Sequence, residues 1–487
     1  MRRVVRSAGF LVLSQGVTLA SGLVVLALSA RYLGPALFGE QAVFRSIAFI
    51  ALPLLTGGLR VNMAKEIGRD PEGAPSYVGS VLTLRWAMTL VVTATALVLV
   101  YALPLTHQRE LAGIATILLL LAGMWQVLAN AIFIAYESSQ YVLGMSLVSG
   151  VLAIPLTVLA VRLDTGVPGI LAAAAVAPFF TAQVGFTLAC RRFVRPKLSV
   201  DVARWRAILK DSLPVGVGAM FRRSYSRVDV LLLAALRNAE AAGVFSVAYR
   251  AAIQITTLSI TVGTAALPRM SRLAERSRER LRTTFEHLLL ILLAFSIPGA
   301  GLIASFAAPL ITVLVGPGFL PSVGALRLIS IAIVTSAPDA LLFFCLVALG
   351  REKAAVKWLA VSVIANVVFD VLLIPRLGVQ GACLGTIGAE WVYFSLSLME
   401  VHRVLELRTA WRPLAKLAVA AVLMALTIYI IGPDRALASA AAGLGVFVAA
   451  CALSKAVPVG TFTALRRALA APSPGASDPT VDSEARE

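Results

Sequence analysis

The sequence is poor in the features of a soluble enzyme. Only 14% of its 487 residues are charged and 59% are apolar, a balance foreign to soluble globular proteins of this length. We find no Walker motif, catalytic triad or metal-binding spacing. The four cysteines are scattered and form no CxxC pair. We therefore expect neither a nucleotide-driven pump nor a disulfide scaffold, and no cofactor beyond a coupling ion.

Long apolar runs dominate what is present. They recur along nearly the whole chain, each about 20 residues long and thus sufficient to cross a bilayer as a helix. Strand-like alternation is absent, so the pattern predicts an all-α polytopic membrane protein. Fourteen spans are expected, at 8–30, 41–59, 78–103, 111–135, 141–161, 168–190, 212–236, 242–267, 286–315, 322–349, 355–374, 379–400, 414–431 and 436–456.

The placement of positive charge predicts the orientation. The net charge is +18, and basic residues concentrate in alternate segments such as 2–6 and 191–210. We expect a multi-pass protein of the cytoplasmic membrane. By the positive-inside rule, the asymmetry predicts that both of its termini lie in the cytoplasm. Because the charges lie in short loops beside spans, anionic lipid is their expected partner and nucleic acid is not.

The two halves of the chain repeat one another. GVPGILAA (166–173) matches GVQGACLG (378–385), and Gly39 ahead of Arg45 matches Gly243 ahead of Arg250. An even number of spans separates the matches, so both halves share one orientation, as in transporters that rock one lobe against the other. The predicted units are an amino-terminal six-helix lobe (1–195), a cytoplasmic linker (196–211), a carboxy-terminal six-helix lobe (212–405), two extra transmembrane helices (406–458) and a disordered cytoplasmic tail (470–487).

Two basic segments are expected to lie on the membrane surface. The linker has the pattern of a short amphipathic helix around Trp205. Residues 269–287, RMSRLAERSRERLRTTFEH, have a helical pattern rich in arginine, which is typical of an interfacial helix.

A first group of charges within the apolar runs is cationic. Charge at membrane depth is costly and usually faces a bundle interior or a watery cavity. Guanidinium groups fork onto phosphate oxygens, so arginines around a cavity suit a pyrophosphate or another anionic headgroup. The alternative is that some of them reach the headgroup level and bind bulk lipid. The candidate residues are Arg45, Arg85, Arg222, Arg223, Arg227 and Arg250.

A second group is rich in oxygen. Asn366 and Asp370 share one face of a helix at i, i+4, Thr386 lies on the following helix, and Asp229 lies in the span 212–236. Two carboxylates, an amide and a hydroxyl supply the ligands that a hard cation such as Na⁺ prefers. Two alternatives remain open: a structural hydrogen-bonded knot between three helices, and an Asp370 that carries H⁺ instead.

Three segments, 30–44, 209–252 and 347–392, resemble the polysaccharide flippases of the multidrug/oligosaccharidyl-lipid/polysaccharide (MOP) exporter superfamily, and the resemblance extends over about residues 7–405. It implies two six-helix lobes in a V shape around a central cationic cavity. It also implies transport of undecaprenyl-pyrophosphate-linked oligosaccharides from the inner to the outer leaflet, with polysaccharide polymerase machinery as a further partner.

The lipid II flippases of the same superfamily have a sodium site whose pattern this chain matches. The matching residues are Asp229, Asn366, Asp370, Ala382 (through its carbonyl) and Thr386. The chain departs from these flippases in its first span, which has no arginine between Arg6 and Arg31, and this disfavours lipid II as the substrate. The alternative is a cation-coupled multidrug exporter, which the arginines disfavour; a membrane glycosyltransferase would need a longer outer loop.

Overall fold

The computed structural model describes residues 2–56, 63, 66–67, 69–70, 72–102, 109–136, 138–210, 227–407, 411–432 and 435–454. Over this part of the chain the backbone is helical and contains no strand. The helices are α1 Arg2–Thr56, α2 Ala74–Ala102, α3 Arg109–Ala135, α4 Gln140–Arg162, α5 Gly166–Arg192, α6 over 202–210, α7 Val228–Leu236, α8 Ala239–Arg276, α9 Arg278–Ser305, α10 Ala307–Val315, α11 Ser322–Ala348, α12 Glu352–Leu377, α13 Val379–Leu405, α14 Trp411–Ile431 and α15 Ala436–Ser454.

The predicted all-α membrane fold is confirmed. Among the described residues, eleven helices are long and apolar enough to cross a membrane. One of them, α1, comprises two of the predicted spans. They are separated at Gly34, where the backbone leaves helical geometry (φ 66°, ψ 176°). That conformation favours glycine, and Pro35 then starts a new helical direction. Most of the predicted span 212–236 lies outside the described residues; α7 is its final part.

Two boundaries differ from the predictions. The segment 269–287 is helical as predicted, but it is not a separate helix, because α8 runs to Arg276 and α9 starts at Arg278. Ser277 alone makes the turn; its backbone is extended and its hydroxyl accepts a hydrogen bond from the Arg280 amide, an N-cap that starts α9 at once. The predicted span 286–315 is split at Phe306 into α9 and the short α10. The 28 residues of α9 are about 42 Å long, which is enough to cross a bilayer. The short α10 is a separate helix that contacts α1.

The helices pack into two groups. In the amino-terminal half, α5 packs on α3 and α4, and α1 packs on α4. In the carboxy-terminal half, α11 packs on α8, α9 and α13, and α12 packs along α13. The pair α14–α15 leans on α9. The two groups meet where α1 contacts α7, α8 and α10, so the second part of α1 faces the carboxy-terminal half.

The internal repeat has structural counterparts. Gly166 and Gly378, which the sequence repeat aligns, both have positive φ (64° and 60°); Gly166 is the first residue of α5 and Gly378 immediately precedes α13. Gly39 and Gly243, also aligned, lie against each other where α1 meets α8. A short helix over 202–210 includes Trp205, as the sequence predicts. The tail at 470–487 lies outside the described residues.

Candidate functional site

The two halves contact each other closely on the side of the helical layer where α1 breaks, which we call the Gly34 face. A Cβ atom at Gly39 would collide with the Ala239 carbonyl, and one at Gly243 would collide with the Pro35 carbonyl. Because Pro35 and Ala239 are themselves repeat partners, this contact is reciprocal, as across a two-fold axis. Small residues at the contact, Gly39 on α1 and Ala239 and Gly243 four apart on α8, permit such an approach.

Two further contacts close the same face. The rings of Phe38 and Phe319 meet edge to face with centroids 5.6 Å apart, and both side chains are almost fully buried. The Arg31 guanidinium donates a hydrogen bond to the Val313 carbonyl near the end of α10. Helix backbone, aromatic rings and a charged group therefore all join the halves at the Gly34 face.

A cluster of three arginines lies below this contact. Arg45 is on α1, Arg227 immediately precedes α7 and Arg250 is on α8; all three are half-buried. Each lies within electrostatic reach of the other two. The cluster thus draws one guanidinium from the amino-terminal half and two from the carboxy-terminal half. Mutual repulsion between three cations in a low-dielectric layer makes the place favourable for an anion.

The depth of the cluster argues against a purely interfacial role. Arg45 and Arg250 each follow the start of their helical segment, at Gly34 and Asn238, by about three turns. At 1.5 Å per residue this is about 17 Å below the Gly34 face. With the Gly34 face placed at one edge of the hydrocarbon layer, which is about 30 Å thick, these two helix positions would lie near the middle of the layer. This placement disfavours the alternative in which they bind bulk lipid headgroups.

Aromatic rings of α1 orient two of these arginines. The Arg227 guanidinium carbon lies 4.6 Å from the ring centroid of Phe49, and that of Arg250 lies 5.7 Å from the centroid of Phe38. A ring face attracts a guanidinium group by the cation–π interaction and so restricts the positions that these two side chains take. Neither phenylalanine was singled out from the sequence; the spacing of aromatic residues around Arg45 was the available signal.

The remaining predicted arginines are placed differently. Arg222 and Arg223 lie outside the described residues. Arg85 is fully buried inside the amino-terminal half, where its guanidinium donates to the Met124 carbonyl at 3.4 Å. It is on α2, which packs on α1 and α3. The structure does not bring Arg85 into the arginine cluster, and this position favours a structural role.

The oxygen-rich group comes together in the carboxy-terminal half. Asp229 is in the first turn of α7, Asn366 and Asp370 are on α12, and Thr386 is on α13, all essentially without exposure. The Asp229 carboxylate lies beside Asp370 and Asn366. The Thr386 hydroxyl is 3.0 Å from both Asp229 Oδ2 and the Ala382 carbonyl, and donates to one of them. All five predicted residues therefore lie in one cluster of neighbouring polar groups.

The chemistry of this group fits a small hard cation or a proton. Asp229 Oδ1, both carboxylate oxygens of Asp370 and the amide oxygen of Asn366 are buried without a hydrogen-bond partner. Two buried carboxylates side by side repel each other unless a positive charge lies between them. These unpaired oxygens of three side chains, together with the Thr386 hydroxyl and the Ala382 carbonyl beside them, supply ligands of the type that Na⁺ takes.

Close packing of α12 and α13 builds this oxygen site. The two glycines of α13 that permit this packing were not singled out from the sequence. A Cβ atom at Gly385 would collide with Asp370 Oδ1, and one at Gly381 would lie 2.5 Å from the Leu373 carbonyl oxygen. The two glycines are four residues apart and face α12. Their spacing is the small-xxx-small pattern of closely packed membrane helices, which was visible in the sequence.

Comparison with known proteins gives a family and a fold. The profile of the family described as polysaccharide biosynthesis protein matches residues 4–274, more than half of the chain. An uncharacterized membrane protein of Methanocaldococcus jannaschii is 26% identical over 153 residues, or 31% of this chain. The match covers 30% of that protein, so the chain spans less than a third of this curated relative.

Solved structures share the architecture. The lipid II flippase MurJ in an inward closed conformation has a TM-score of 0.75 at 15% identity, over 91% of this chain and 98% of that one. An inward-facing multidrug resistance transporter of the MATE family and MOP superfamily has a TM-score of 0.62 at 20% identity, over 82% and 99%. A MOP superfamily transporter from Pyrococcus furiosus has 0.57 at 18%, over 83% and 96%. At these identities the likeness concerns the fold.

Proposed function

This chain belongs to the polysaccharide biosynthesis protein family, and from that premise we propose that it is a flippase and not an enzyme. Its substrate would be an undecaprenyl-pyrophosphate-linked oligosaccharide, moved from the inner to the outer leaflet of the cytoplasmic membrane and there passed to polymerase machinery. The observation that carries the proposal is the cluster of Arg45, Arg227 and Arg250 at mid-membrane depth between the two halves.

The arginine cluster suits a pyrophosphate for three reasons. Its three positive charges attract an anion, whereas they would repel an organic cation and would not attract a neutral drug. Guanidinium groups bind phosphate oxygens in bidentate fashion. Arg227 and Arg250 are held against Phe49 and Phe38, so less side-chain entropy is lost on binding. These points also weigh against the multidrug exporter as the alternative function.

The direction of access follows from the proposed orientation. With both termini in the cytoplasm, the Gly34 face is the outer one. The halves are closed there by Gly39, Gly243, Phe38 and Phe319, so the arginine cluster would be reached from the cytoplasmic side. Rocking of one half against the other would part this contact and release the substrate outward.

The first turn of α7 links the two groups of charges. Arg227 belongs to the arginine cluster, and Asp229, two residues later, belongs to the oxygen site. A bound Na⁺ would supply the positive charge that two adjacent carboxylates need. Asp229 then stays close to Asp370 and Thr386, which fixes the start of α7 and with it Arg227. We propose that coupling by Na⁺, or by H⁺ on Asp370, acts through this turn.

A deletion strain tests the proposal. Mass spectrometry with a leaflet-accessibility assay should find one complete lipid-linked glycan accumulating in the inner leaflet. The natural gene should clear it, Arg45→Gln should not, and Arg162→Gln, which alters an exposed arginine, serves as the matched control. Absence of accumulation combined with new sensitivity to cationic drugs would reject the flippase in favour of the exporter.

A further inference from the structure

The linker between the halves is an ordered strap docked on α2. We define the strap as residues 194–210, which leave the end of α5 and cross the first turns of α2. The Lys197 amide donates to the Pro75 carbonyl at 2.9 Å. A Cβ atom at Gly79 would collide with the Lys197 carbonyl, so the strap approaches α2 as closely as glycine allows.

Side chains fix the strap along its length. The hydroxyl groups of Ser199 and Ser80 are 2.9 Å apart, and Thr83 Oγ1 donates to the Ser199 carbonyl at 2.8 Å. Further along, Arg204 donates to Ser76 Oγ at 2.6 Å. Trp205 Nε1 donates to Thr83 Oγ1 at 3.3 Å. Because these bonds hold one side of the strap against α2, the residues on its other side face away from α2.

That outward side combines apolar and basic groups. Leu198, Val200 and Val202 are 70%, 74% and 69% exposed. The first two are alternate residues of the non-helical part of the strap, and Val202 is the first residue of α6. Exposed basic residues flank them: Arg191, Arg192, Arg195, Lys197, Arg206 and Lys210. Asp201 is the single acidic residue from 191 to 210, and its carboxylate accepts from the Arg204 amide at 3.0 Å.

We propose that the strap binds anionic phospholipid headgroups and inserts Leu198, Val200 and Val202 among them. The strap lies where two spanning helices end, α5 at Arg192 and α2 at Ala74, which is the level of the membrane surface. Apolar groups ringed by cations match the boundary between headgroups and acyl chains, and the excess of positive charge matches anionic lipid. A soluble acidic protein would match the charge but not the three apolar side chains.

The consequence concerns motion between the halves. The strap is docked on the amino-terminal half and leads towards α7 in the carboxy-terminal half. Lipid binding would hold this connection at the membrane surface. The proposal does not depend on the flippase function, because it concerns a different surface and is measured as lipid binding alone.

The test uses the purified full chain in neutral detergent and native mass spectrometry with phosphatidylglycerol or phosphatidylcholine. We expect the natural chain to retain phosphatidylglycerol preferentially. The triple variant Arg195→Gln, Lys197→Gln, Arg206→Gln should bind it about tenfold or more weakly, since each basic group near a membrane surface contributes several-fold. The matched control, Arg272→Gln, Arg276→Gln, Arg278→Gln, removes equal charge from exposed residues and should retain most of the binding.

Equal loss in both triple variants, or no loss in the strap variant, overturns the proposal. A second measurement addresses insertion: a polarity-sensitive fluorophore on Val200→Cys should shift to the blue when bilayers contain phosphatidylglycerol. An unshifted spectrum there overturns it, as does capture of a soluble acidic protein by the strap in place of lipid.

Discussion

A single methyl group at Gly39 should open the Gly34 face. In Gly39→Ala the new Cβ would lie 1.6 Å from the Ala239 carbonyl oxygen, whereas a carbon–oxygen contact needs about 3.3 Å. The halves must therefore separate locally by about 1.7 Å. Overpacking of this kind costs about 1–3 kcal/mol, which lowers the closed population by about 5- to 150-fold relative to the open one.

Pulsed electron paramagnetic resonance measures the change. Spin labels at Leu37→Cys and Leu320→Cys, both exposed on this face, should report a longer distance in Gly39→Ala after the four native cysteines are replaced. Gly144→Ala is the matched control, because nothing lies within 4 Å of its new Cβ. A folded Gly39→Ala with the same distance distribution as the natural chain would refute the reasoning.

Four further predictions concern the two groups of charges. Asp370→Asn should abolish the rise in melting temperature that Na⁺ gives the natural chain, whereas Glu110→Gln, at an exposed carboxylate, should keep it; a retained rise in Asp370→Asn would contradict the cation site. Gly385→Val should reduce the same sodium response, because its side chain would collide with Asp370; an unaltered response would show that α13 can shift freely. Phe49→Leu should weaken pyrophosphate binding about 2- to 5-fold by removing one cation–π contact, measured by calorimetry with Phe180→Leu, an exposed ring, as control. Arg85→Met should lower the melting temperature yet keep pyrophosphate affinity, the reverse of Arg45→Gln; equal loss of affinity in both would return Arg85 to the binding site.

Contacts between residues close together in the chain could be predicted from the sequence. Asn366 and Asp370 share a face because four residues make about one helical turn, and the break at Gly34 follows from glycine before proline. The meeting of Asp229 with Thr386, 157 residues away, does not follow from periodicity. The two were grouped by the chemistry of their side chains and by the resemblance to lipid II flippases, because pairing between distant helices depends on the whole packing arrangement.

Arg85 shows the opposite case. The sequence established that a charge lies inside a largely apolar helix. The polar residues of α2 lie on more than one side of it, with Ser80 and Thr83 on one and Arg85 on another, so no single face could be assigned to a cavity. The structure buries the guanidinium beside Met124. Likewise, the repeat related Gly39 to Gly243 without showing that they touch. Equivalent residues meet only when they lie at the symmetry axis, which is a property of how the halves dock.

The repeat is symmetric in its arginines and asymmetric in its oxygen ligands. Arg45 and Arg250 follow Gly39 and Gly243 by similar intervals, so each half contributes a guanidinium. At the offset of 212 that relates Gly166 to Gly378, the counterparts of Asn366, Asp370 and Thr386 are Ile154, Val158 and Ala174. Three apolar side chains cannot hold a cation. A cation can therefore act on one half alone, and the difference between the halves is what allows a binding event there to change the angle between them.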